Sequence, residues 1–458
     1  MTRKIQRFKQ FRLTYKTYSK WFALGLLSLL VVAIFFTLSV SQQKQNIKQE
    51  ASNSVQDMSN LHIVGSEIVN NAGQTVLLHG VNRPSFEYSC IDGSRISEGP
   101  LDQSEISAMK SWNINAVRVT LNEDCWLGLH GMATSVSGAA YKTAVSNYVA
   151  LLTQNAMAVI INLHFNGDGN SKAIEQEPMA DRQNSNTFWI SVADAFKNNS
   201  SVLFEPYNEP HDITWQCWRD GGTCSGVSFQ AAGMQEMIQA IRGTGAKNII
   251  IATGNNWGSD LSQWQQFKPT DPISQLAAGW HTYNDGLSCE DKTCWDTTLA
   301  SVLTTNPIVA TEIGEFDCNH THIDTVMNWL DGKNQGYFAW AWTPGDCAKE
   351  PALISDWKGT PSQTFGQGFK DHLVEAALTP AITQIPSPTQ VVPTNYCLGD
   401  CLPTVNPPTV TLTPSLPTSS PIPSQPTPVR NTNKGILGLL LQLLTLFFSL
   451  LSRMFGGN

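Results

Sequence analysis

From residue 61 to about residue 378, short runs rich in β-branched residues alternate with stretches whose apolar residues fall three and four positions apart. The runs at residues 76–80, 116–120, 159–163, 202–205, 248–252, 279–281, 308–311 and 337–342 read as eight strands. Between them, residues 141–154 and 229–242 carry the spacing of amphipathic helices. Strand and helix alternating eight times predicts an α/β fold, the (β/α)8 TIM barrel, whose chemistry sits on the loops after its strands. Ile63-Val64 and Ile68-Val69, with Asn70-Asn71-Ala72-Gly73 beside them, predict an N-terminal hairpin. A doubly wound sheet is the runner-up. It is disfavoured because Gly80-Val81-Asn82-Arg83-Pro84 lacks the glycines of a phosphate cradle.

The pattern changes at both ends. Residues 1–20 hold seven basic side chains and no acid, and residues 21–40 hold no charge. A basic flank before a membrane-length apolar stretch predicts an anchor with a cytoplasmic N-terminus. Cleavage near Ser39-Val40-Ser41 would make it a signal peptide instead. Either reading exports the barrel, leaving it extracytoplasmic at the cell membrane, or secreted if the segment is cleaved. Residues 41–60 form a linker, 61–379 the barrel, and 380–433 a semi-rigid tether of Pro, Thr and Ser. Residues 434–458 are apolar again, with Gly435, Gly438, Gln442, Thr445, Ser449, Ser452 and Gly456 three and four apart. Such a stripe predicts a second membrane segment packed on a partner helix, so the membrane is an expected partner through both terminal helices.

Composition narrows the chemistry. With 41% apolar and 14% charged residues, the chain has enough apolar side chains for an ordinary core. Residues 1–48 contain nine of the 29 basic residues and none of the 37 acids, so the remainder carries 20 bases against 37 acids, a net −17. That charge excludes nucleic acid as a partner and suits a neutral substrate. The ten cysteines fall into close successive pairs, Cys90/Cys125, Cys217/Cys224, Cys289/Cys294, Cys318/Cys347 and Cys397/Cys401. In an exported chain an even count reads as disulfides, with successive pairing preferred and the connectivity open. No pair has zinc-site spacing, and no metal or cofactor is expected. Asn166-Gly167-Asp168-Gly169-Asn170 resembles a calcium loop but lacks its closing glutamate, and reads as a turn beside the cleft.

Two glutamates carry the candidate chemistry. Glu209 follows the fourth run in Asn208-Glu209-Pro210, and Glu312 ends the seventh. Carboxylates facing each other at strand ends suit hydrolysis of a glycosidic bond: one donates a proton to the leaving oxygen while the other attacks the anomeric carbon. Around them the strand ends add Arg118, His164, Asn208, His281, Tyr283 and Trp342. Tryptophans next to cysteines, such as Trp126, Trp215, Trp218 and Trp295, and Trp257 after the fifth run, are candidate sugar platforms. Glu205 and Glu315 read as supporting or loop carboxylates. Singly, each of these has a structural explanation, as ion-pair partner, core histidine or barrel packing; their joint order argues otherwise.

Seven segments in order resemble glycoside hydrolase family 5: Leu78-His79-Gly80-Val81-Asn82, Val117-Arg118-Val119, Asn162-Leu163-His164, Asn208-Glu209-Pro210, Trp280-His281-Thr282-Tyr283, Thr311-Glu312-Ile313-Gly314 and Trp340-Ala341-Trp342. The resemblance implies a retaining (β/α)8 glycosidase with Glu209 as acid/base and Glu312 as nucleophile. It further implies Asn208 on the sugar 2-hydroxyl, Arg118 steadying the nucleophile, His164, His281 and Tyr283 around the reactive sugar, and Trp342 beneath it. The implied substrate is a β-linked polysaccharide or oligosaccharide, cleaved by an endo-β-1,4-glucanase of cellulase type. A mannanase or other β-glycanase, and a carbohydrate-binding barrel without catalysis, are the alternatives.

Overall fold

The computed structural model describes residues 56–378 apart from Ser288. The expected anchor at residues 21–40, the tether, the Cys397/Cys401 pair and the apolar segment at residues 434–458 lie outside this range. Among the described residues, no helix is long and apolar enough to cross a membrane.

Each of the eight runs contributes a parallel strand: β1 (His79–Arg83), β2 (Ala116–Asn122), β3 (Ala158–Phe165), β4 (Val202–Glu205), β5 (Ile250–Thr253), β6 (Leu276–Thr282), β7 (Ile308–Ile313) and β8 (Gly336–Ala339). Sequence neighbours pair, and β8 pairs with β1, so the sheet closes into the barrel that the alternation predicts. Helices such as Gln103–Ser111, Ala139–Gln154, Ser185–Phe196, Met234–Gly243 and Thr321–Asp331 return the chain between strands, and Phe365–Leu378 follows the last one. After β5 the return holds only the four-residue helix Trp264–Phe267.

Period-two alternation puts one set of side chains inside the barrel and the other under the helices. On β2, Val117, Val119 and Leu121 join the outer core, while Ala116 joins the interior one with Ala158, Ile160, Leu203, Ile251, Ala277, Val309 and Phe338. Met58, Leu61, Ile68 and Val76, from and around the N-terminal hairpin, extend that interior cluster and plug the lower end of the barrel. Further along the same inward rows the residues turn polar: Asn82, Arg118, Asn162, Glu205 and Thr253. The interior is therefore apolar below and polar above, at the strands' C-terminal ends.

Several boundaries shift from the pattern, and three of the shifts have a plain cause. β1 begins and ends three residues later than expected, because Asn82 and Arg83 are buried polar residues rather than loop. Asn82 Nδ2 donates to the carbonyls of Thr311 (3.0 Å) and Phe338 (3.2 Å), and Arg83 pairs with Glu105 at 2.7 Å. The expected helix at 229–242 starts at Met234, since Gln230–Ala232 instead pairs antiparallel with Gly221–Thr223. The hairpin turns at Gly65 between His62–Val64 and Glu67–Val69, and the residues from Asn70 to Gly73 form a second turn leading to the Val69–Thr75 bridge. The first four successive cysteine pairs are disulfides.

Candidate active site

The polar end of the barrel is organised around Arg118. Its guanidinium is fully buried and donates in four directions: Nε to Glu205 (2.5 Å), one terminal nitrogen to both Asn82 (2.8 Å) and Glu312 (2.7 Å), the other to Asn208 (2.5 Å). Burial pushes Glu205 up, but Arg118 and His281 outweigh it and hold that carboxylate at about 2. Glu312 accepts from Arg118 on Oε1 and from the Tyr283 hydroxyl on Oε2 at 2.6 Å. Burial, with Glu209 beside it, still pushes Glu312 above the usual range, against the pull of His281, Arg118 and Tyr283.

Glu209 stands beyond β4 with its side chain partly open to the cleft. A bulge in β7 after Ala310 and a register shift in β6 at His281 bring these strand ends together. His281 Nδ1 lies 2.8 Å from Glu209 and 3.7 Å from Glu312, and its Nε2 lies 3.0 Å from Thr311 Oγ1. Burial disfavours the imidazolium, yet Glu312, Glu205 and Glu209 together raise its pKa to about 9. His164 is the opposite case: burial, Arg118 and His281 hold it well below the usual range, neutral, with Nδ1 2.9 Å from Asn162 Oδ1. One carboxylate oxygen of Glu209 and one of Glu312 lie within 4.8 Å of each other and of a His281 nitrogen. Those three atoms are close enough to converge on a cation, but Arg118, 2.7 Å from Glu312, already supplies the positive charge there.

A cleft of about 380 Å³ opens above this group, with Trp257, Ser259, Tyr283, Leu287, Phe316 and Trp340 in its lining. It gathers Glu209, Glu312, His164, His281, Tyr283 and Trp257 among the candidates. Trp257 is 38% exposed and stacks on His211 at 3.6 Å between centroids. Arg118 and Asn208 lie beneath the cleft, buried, so Arg118 orients other side chains rather than facing a ligand.

Two candidates are corrected. Trp342 is fully buried and packs edge-on against Trp112 at 5.0 Å, because the chain leaves the sheet after Ala339 and its alternation stops. Trp340, two residues earlier, takes the cleft position and stacks on His164 at 5.6 Å. Trp126 is likewise buried, in helix Glu123–Leu127 against Tyr141 and Phe188, with its indole N–H on Ser191. Trp215, Trp218 and Trp295 are also core; a neighbouring disulfide anchors an indole inward as readily as outward. Phe316, 49% exposed and stacked on Tyr283, is a cleft residue that the sequence reading passed over. An apolar residue four beyond a strand-end glutamate was the available signal.

A family model described as cellulase, glycosyl hydrolase family 5, matches residues 69–346. The manganese-dependent endoglucanase of Phanerodontia chrysosporium is 28% identical over 229 residues, covering 47% of this chain and 55% of that protein. Endoglucanase 1 of Robillarda sp. is 33% identical over 181 residues, 34% of this chain and 43% of its own length. The chain thus spans about half the length of these relatives. Among solved structures, a β-glucanase of Saccharophagus degradans superposes with a TM-score of 0.53 at 20% identity, covering 70% of this chain and 95% of that one. A hyperthermophilic endocellulase of Pyrococcus horikoshii gives 0.53 at 16%, covering 69% and 100%. At these identities the likeness speaks to fold.

Trp342→Ala should cost about 3–5 kcal/mol in urea unfolding, as expected for emptying a core tryptophan, and Trp340→Ala less than about 1 kcal/mol; the reverse order would return Trp342 to the cleft. His281 has a folded pKa raised from 6.5 to about 9, so its stabilisation is complete below pH 6.5 and is lost as pH rises through 9. Unfolding free energy should therefore decline across that window, and the decline should be shallower in His281→Gln. Equal slopes would contradict the imidazolium.

Proposed function

The chain belongs to glycosyl hydrolase family 5, and on that premise we propose that its barrel hydrolyses internal β-1,4 bonds of a glucan with retention at the anomeric carbon. The observation that carries this reading is the approach of one Glu209 carboxylate oxygen to within 4.8 Å of one Glu312 oxygen. Retaining glycosidases hold their two carboxyl groups about 5–5.5 Å apart, while inverting ones leave about 6.5–9.5 Å for a water between them.

The surroundings divide the roles. Glu312 has a guanidinium on one oxygen and a phenol on the other, so its carboxylate is aimed by two donors that oppose the effect of burial on its charge. In the first step Glu312 attacks the anomeric carbon as the glycosidic C–O bond breaks, and Glu209 gives its proton to the departing oxygen. In the second, water attacks the glycosyl–Glu312 ester, Glu209 takes the water's proton, and Glu312 is released as carboxylate. Trp340, Phe316 and Trp257 in the cleft lining offer flat faces for sugar C–H groups. A glucan substrate and endo action are supported by relatives that are themselves endoglucanases.

Proton NMR of the product first released from cello-oligosaccharides by the full-length protein should show the β-anomer. Glu209→Gln and Glu312→Gln should each lower turnover by about three orders of magnitude or more, with Glu315→Gln within about twofold of wild type. Glu315 instead accepts the Ile323 N–H at the start of a helix. An α-anomer, or an active Glu312→Gln beside an inactive Glu315→Gln, would overturn the assignment.

A further inference from the structure

Glu209 has a second neighbour that the two-carboxylate mechanism does not use. Gln176, from the segment after β3, lies with its side-chain Nε2 3.1 Å from the Glu209 carbonyl and 3.4 Å from Glu209 Oε2. Its side-chain oxygen accepts from Asn208 Nδ2. One amide thus bridges the acid/base candidate and the residue before it. Glu209 is held on both oxygens, Oε1 by His281 and Oε2 by Gln176.

The chain just after Gln176 is tied to the segment that carries Glu209. The Tyr207 hydroxyl donates to the Glu177 carbonyl, and the His211 N–H donates to the Pro178 carbonyl at 3.1 Å. Residues 207 and 211 bracket Glu209, so the chain after Gln176 is fastened two residues to each side of it. Behind them, Asn166 bridges Glu175 and donates from Nδ2 to the Met179 carbonyl at 3.2 Å. These ties fix the backbone from which Gln176 reaches Glu209, which makes the contact a built one rather than the chance reach of a long side chain.

We infer that Gln176 is a positioning residue for the general acid: its amide restrains the Glu209 carboxyl so that the proton is presented to the leaving oxygen. This rests on the functional reading above. A restraint on proton delivery has a particular signature. It matters when the leaving group is a sugar alkoxide, which needs the proton, and little when it is a dinitrophenolate, which departs without one. A residue that merely stabilised the fold would affect both substrates alike.

Methionine has the length of glutamine without its hydrogen bonds. Gln176→Met should lower kcat/KM for cellotetraose about tenfold, and that for 2,4-dinitrophenyl β-cellobioside less than about threefold. Gln176→Glu keeps the shape and sets a carboxylate against Glu209; it should give the same pattern if the Met variant folds poorly. Glu209→Gln supplies the reference pattern at larger amplitude. Equal losses on both substrates, or no loss on cellotetraose, would overturn the role of Gln176 while leaving the glycosidase reading in place. A wild-type chain inactive on both substrates would overturn that reading and this one together.

Discussion

A guanidinium with no access to water must have all its hydrogen bonds and its charge met by the protein, and Arg118 is such a group. No single strand can do this. Its partners come from β1 (Asn82), β4 and the turn after it (Glu205, Asn208) and β7 (Glu312), so the cation is satisfied only when the barrel has closed. Two of these partners, Glu205 and Glu312, are anions, and breaking a buried ion pair by removing one member typically costs about 3–5 kcal/mol. Closure of the sheet and assembly of the candidate site are in this sense one event.

The same cation sorts the carboxylates. Glu205 takes the Nε contact, accepts a hydroxyl from Thr253 and is held fully charged, so it acts as a counterion rather than a reactant. Glu312 shares the guanidinium but faces the cleft, where Tyr283 meets its other oxygen. Glu209 has no contact with Arg118 among its hydrogen bonds and is held by the imidazole of His281 and the amide of Gln176. Three acids within reach of one histidine thus have three environments, and those differences suit them to different tasks.

Much of the architecture was legible because β-strands advertise themselves by alternation. The inward row running from Ala116 to Arg118 on β2, or from Leu203 to Glu205 on β4, changes from apolar to polar at the level where the site begins. Legibility failed where alternation stopped or where polar residues were buried. Asn82 and Arg83 resemble loop but sit in β1, since their partners lie 229 and 22 residues away. Trp340 and Trp342 are indistinguishable by type, and only the departure of the chain from the sheet after Ala339 turns one toward the cleft and the other into the core. Gln176 lies 33 residues before Glu209 in an irregular segment, with no periodic pattern to mark it.

The central claim is that Glu312, fixed by Arg118 and Tyr283, is the group that attacks the sugar. Incubating the protein with a 2-deoxy-2-fluoro-β-cellobioside carrying a dinitrophenyl leaving group should trap the glycosyl–enzyme ester, because the fluorine slows its hydrolysis. Mass spectrometry of the digested protein should place one glycosyl group on Glu312. A label on Glu209 or Glu315, or hydrolysis of ordinary substrate by a protein that never acquires a label, would contradict it.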